Sequence, residues 1–64
     1  MKTIKEYLNL EGLPTALISQ TDEAYHVDNF VTNVLVSFED VREAYQYAQA
    51  VTNQVNRNVL GGAL

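Results

Sequence analysis

From residue 41 onward, apolar and small side chains recur at helical spacing. Val41, Ala44, Tyr45, Ala48, Val51, Thr52, Val55 and Val59 form one stripe, and Arg42, Glu43, Gln46, Gln49, Asn53 and Arg57 line the opposite side. A helix this one-sided must lay its stripe on another layer, and the preceding residues have to build that layer. The start is expected just before the stripe: Ser37 can cap, Asp40 sits at the third helical position to answer it, and Val36 with Val41 have the spacing of a hydrophobic staple. Gly61-Gly62 is expected to end the helix, and residues 61–64 read as a flexible tail.

The upstream half is less uniform. Thr3 can cap a short helix with Ile4, Tyr7 and Leu8 at i, i+3 and i+4, which Gly12 and Pro14 would stop. TALISQ, residues 15–20, reads as a strand followed by a turn at Thr21-Asp22-Glu23, and AYHV returns as its neighbour. Asp28-Asn29 suits a tight turn or a bulge. In FVTNVLVSF, residues 30–38, Phe30, Thr32, Val34, Val36 and Phe38 alternate as one face of a strand, while Val27, Phe30, Val31, Val34, Leu35 and Phe38 fit a helical period. The β-branched residues and the helix start that follows at once favour the strand. The expected fold is therefore α+β over residues 1–64: a short N-terminal helix, a small antiparallel sheet of two or three strands, and a long C-terminal amphipathic helix. An all-α three-helix bundle is the alternative.

Composition narrows the function classes. A chain of 64 residues is one domain with a thin core, and cores of this size seldom supply more than about 3–5 kcal/mol without a staple. There is no cysteine and one histidine, so disulfides and thiolate-bound zinc are excluded, and neither metal nor cofactor is expected. The net charge is −4, and the four basic residues, Lys2, Lys5, Arg42 and Arg57, are scattered. No basic stripe is present to neutralise phosphates, so direct nucleic-acid binding is not expected. No apolar run has the length of a membrane span, and the start lacks the apolar core of a signal peptide, which points to a cytoplasmic protein that makes no membrane contact.

One stretch invites a catalytic reading. In YHVDNF, residues 25–30, a strand would put His26 and Asp28 on the same side, and Ser19 would lie across the hairpin from His26. No strained elbow or glycine-rich turn accompanies them to stabilise an oxyanion, so no enzyme is expected. The tyrosines suggest contact instead: Tyr7, Tyr25, Tyr45 and Tyr47 are many for so small a chain, and tyrosine is favoured at interfaces. Tyr45 belongs to the buried stripe, Tyr47 to its margin, and Tyr25 to the sheet face opposite His26. Val31 and Leu35 fall on the sheet face opposite Val34, Val36 and Phe38, where something should cover them. Tyr25, Val31, Leu35 and Tyr47 are thus the candidate interface. The expected function is a non-enzymatic protein-binding module, of the compact acidic kind common among accessory proteins and inhibitors of phages and mobile elements, acting by masking a partner surface. The alternative is a structural homo-oligomer or a small subunit of a larger assembly.

Overall fold

The computed structural model describes residues 1–61. Four strands, β1 (Lys2–Leu8), β2 (Pro14–Gln20), β3 (Tyr25–Asn29) and β4 (Val34–Phe38), precede one helix, α1 (Val41–Gly61). The strands form a single antiparallel meander in the order β1-β2-β3-β4, and α1 packs across its middle, chiefly over β2 and β3. The α+β class holds, and the all-α alternative is overturned. The sheet has four strands rather than two or three, because the expected N-terminal helix is strand β1.

The physical reason lies in a β-bulge. The pairing of β1 with β2 shifts between Thr3 and Lys5, so one extra residue enters the edge strand. Ile4 and Tyr7, three apart, both pack into the core beneath the helix, although regular alternation would set them on opposite sides. A bulged strand therefore reproduces the spacing of a helical stripe. Pairing with β2 also satisfies the backbone of a segment too short to persist as a helix alone.

Of the three hairpins, the first and third turn at an asparagine. Asn9 Oδ1 accepts the N–H groups of Glu11 and Leu13 at 2.8 and 2.9 Å, and the loop closes through Gly12, whose φ of 82° is left-handed. Asn29 Oδ1 accepts the N–H groups of Val31 and Thr32 at 3.0 and 3.2 Å, and Asn33 takes a φ of 60°. The stretch expected as one strand over residues 30–38 is thus a turn followed by β4. The turn expected at Asp28-Asn29 lies at residues 30–33 instead, since both residues end β3.

The helix start also moves. Ser37 lies in β4, and Asp40 is the cap: its Oδ1 accepts the Arg42 N–H at 2.9 Å, and its carbonyl accepts from Glu43 at 3.1 Å and Ala44 at 3.3 Å. The Arg42 guanidinium returns to the same carboxylate at 3.0 Å. Hydrogen bonds from the Arg42 side chain and then its backbone hold the Asp40 carboxyl below its usual range. At the other end, Gly61 is still helical, and the rest of the expected tail lies outside the described residues.

The core is small, made of Tyr7, Ala16, Ile18, Val27, Ala44 and Ala48. Three of these are alanines, which let α1 lie close on the sheet. Burial, with the neighbouring Tyr45 phenol, raises the pKa of Tyr7. A buried polar pair crosses the same layer: Thr15 Oγ1 and Thr52 Oγ1 lie 2.8 Å apart, and the backbone carbonyls of Tyr7 and Ala48 stand 3.1 and 2.9 Å from the respective hydroxyls.

Candidate functional site

The alternation of β3 and β4 sets His26 on the sheet face that the helix leaves open. Ser19 and Ser37 pair with it on either side, and Leu17, Asp28 and Leu35 form the next row. His26 Nδ1 lies 2.8 Å from Ser37 Oγ, and Nε2 lies 2.9 Å from Thr21 Oγ1. Both ring nitrogens are thus engaged by hydroxyls, and neither is oriented by Asp28. A neutral imidazole satisfies this arrangement by donating to one hydroxyl and accepting from the other. The result is a bridge between β4 and the turn before β3, not the relay of a hydrolase. Among the described residues, no group of three or more His, Asp or Glu is placed to hold a metal.

The four candidate interface residues do not come together. Tyr25 lies on the helix side of the sheet opposite Phe38, packed against the core. Tyr47 packs inward too: its ring centroid is 5.5 Å from that of Phe38, and its hydroxyl accepts a hydrogen bond from Asn29 Nδ2 at 3.0 Å. Val31 is 52% exposed in the turn between β3 and β4 and lines a groove with α1 residues, whereas Leu35 is 59% exposed on the open face. The expectation that Val31 and Leu35 share a face fails, because residues 30–33 are a turn and do not alternate with the strand.

Topology gathers a different surface. The β1–β2 loop and the β3–β4 turn lie at the same end of the sheet, and α1, starting at the opposite end, runs back toward them. Asn56 Oδ1 accepts the Leu10 N–H at 3.0 Å and fixes the helix to the first hairpin. Twenty-one helical residues span about 32 Å at 1.5 Å each, and a seven-residue strand about 23 Å. The helix therefore overhangs the sheet at this end. Leu8, Leu10 and Leu13 of the first hairpin, Phe30, Val31 and Val34 of the third, and Val59 and Leu60 of the overhang are all exposed there. Between the β3–β4 hairpin and the helix runs a groove of about 310 Å³ lined by Val31, Thr32, Tyr47, Val51, Val55 and Asn58, among others, with no carboxylate, imidazole or cation in its walls.

Charge sorts the opposite way. Asp22, Glu23, Glu39, Asp40 and Glu43, five of the eight carboxylates, lie at the far end with Lys2 and Arg42, while the apolar end carries Glu11 and Arg57, with Glu6 and Asp28 in the strand row beside it. Sequence reasoning named Val31 but missed the leucines of the β1–β2 loop, because it placed that segment after a helix. The signal available was the run Leu8, Leu10 and Leu13 around an Asn-x-x-Gly turn, apolar where a loop is ordinarily polar.

Comparison with known proteins adds no relative: no protein-family model, curated protein or solved structure matches the chain.

Proposed function

We propose that the protein is a non-enzymatic binding module that covers an apolar patch on a partner protein with the end formed by two of its three hairpin tips and the helix overhang. The observation that carries this reading is the gathering of exposed apolar side chains at the end opposite most of the carboxylates, with Leu10 and Leu60 63% and 64% exposed. Contiguous apolar surface rimmed by polar residues marks contact sites on soluble proteins, and burying it is the main driving force of association. The rim here is Glu11, Asn53, Asn56 and Arg57. Masking a surface needs no pocket or catalytic group, and it suits an accessory protein or inhibitor of the phage or mobile-element kind.

Replacing Leu13 and Leu60 together by glutamate tests the reading. Both are more than half exposed, so the far-ultraviolet circular dichroism should not change. Immobilised wild-type protein is expected to retain a stoichiometric partner from a lysate of its source, and the double variant to lose it. Retention of the same partner by both proteins, or of none by the wild type, overturns the proposal.

A further inference from the structure

We infer that β4 pairs with β4 of a second copy of this chain, antiparallel about a two-fold axis through Val36, so that two four-stranded sheets join into one of eight strands. This surface shares only Val34 with the apolar end, and the pairing does not depend on a partner bound there.

The two edges of the sheet are built differently. β1, one edge, carries Lys2, Lys5 and Glu6 and is broken by the bulge at Thr3 to Lys5. Charges and bulges are how natural sheets keep an edge from recruiting another strand. β4, the other edge, has neither: Val34, Leu35, Val36, Ser37 and Phe38 bear no charge and no proline, and their register with β3 is unbroken. Among the described residues β4 has a strand on one side only. Its outward N–H and C=O groups are a template for strand addition.

The sequence of β4 selects a copy of itself as the occupant. Only the register centred on Val36 pairs all five residues. On the helix side it sets Val34 against the second copy's Phe38 and Val36 against itself, aromatic with β-branched and β-branched with β-branched. On the open face Leu35 meets the second copy's Ser37. Val34 and Leu35, both about half exposed, gain cover. Glu39 and Asp40 then fall opposite the second copy's Asn33 and Thr32, both uncharged, so no like charges meet at the seam.

Charge distribution favours the same arrangement. A chain of net charge −4 repels its copy, least where the surface is neutral. Antiparallel pairing of β4 sends the two carboxylate-rich ends to opposite extremes of the dimer, and each lies beside the other copy's apolar end. The operation is isologous and closes at two copies, because each sheet's remaining edge is the guarded β1.

Sedimentation equilibrium on the intact chain, from micromolar to millimolar concentration, tests the pairing. The wild type should rise from one to two chain masses. Leu35→Lys, which puts a charge on the seam but touches no core residue, should weaken association by about tenfold or more. Leu13→Glu, at the apolar end, should leave it unchanged. Since the chain has no cysteine, Val36→Cys supplies a geometric readout that stands even if Leu35→Lys fails to fold: directly opposed cross-strand residues lie about 4.5–5.5 Å apart at Cα, within disulfide reach, so mild oxidation should yield a covalent dimer. A wild type that stays monomeric throughout, a Val36→Cys protein that does not cross-link, or a dimer abolished by Leu13→Glu and indifferent to Leu35→Lys overturns the inference.

Discussion

Two buried polar residues show how much a side chain's worth depends on its alternatives. The Thr15 and Thr52 hydroxyls have two protons for three close contacts, so either Thr52 donates to Thr15 and Thr15 to the Tyr7 carbonyl, or Thr15 donates to Thr52 and Thr52 to the Ala48 carbonyl. Removing one hydroxyl leaves the other a backbone acceptor. Thr52→Val, which keeps the shape, should therefore cost no more than about 1 kcal/mol in urea unfolding. Asn29 has no such reserve. Its side chain holds two N–H groups of the β3–β4 turn and the Tyr47 hydroxyl at once, so Asn29→Ala should cost about 1–3 kcal/mol in the same measurement. Equal losses for the two variants would contradict this account. The role of Asn29 was hidden in the sequence because nothing in Asp28-Asn29-Phe30 says that the amide reaches both forward into the turn and across to a residue eighteen positions away.

At the scale of elements, one face of the sheet does nearly all the packing. Ile18 and Val27 are the largest apolar side chains that are fully buried, and both sit under the alanines of α1. Truncating a buried isoleucine to alanine typically costs about 2–5 kcal/mol, as much as a core of this size supplies in total, roughly 3–5 kcal/mol. Ile18→Ala should leave the protein largely unfolded at 25 °C by circular dichroism, while Ile18→Val should remain folded. A folded Ile18→Ala protein would show that stability comes from elsewhere, the dimer seam first. The helix was legible because its pattern is local: every residue of the stripe repeats the same message about the same face. β1 was not, because its bulge imposes a spacing of three on residues that a regular strand would separate, and local pattern cannot tell a bulged strand from two helical turns.

Across the whole molecule, stability and exposure run along the long axis. The molecule measures 44 × 17 × 17 Å, with five of the eight carboxylates toward one end and the apolar hairpin tips toward the other. The first half of α1 is buried through Ala44, Ala48 and Thr52, whereas Val59 and Leu60 overhang the sheet and are exposed. A helix without a packing face is marginal, so hydrogen exchange should be slow at the amides from Ala48 to Thr52 and fast beyond Arg57. Uniform protection along α1 in the isolated monomer would contradict the overhang. Occupation of the apolar end by a partner should slow exchange there and nowhere else. Length, the missing cysteines and the one-sided stripe of residues 41–59 already determined that this chain is a thin-cored domain with a long helix laid on another layer, because burial pattern and composition are properties of the chain itself. Which face that layer presents, which edge of the sheet is left unguarded, and that two loops and the helix overhang meet at one apolar end were decided by tertiary structure, since strand register and chain direction depend on pairings between residues far apart in sequence.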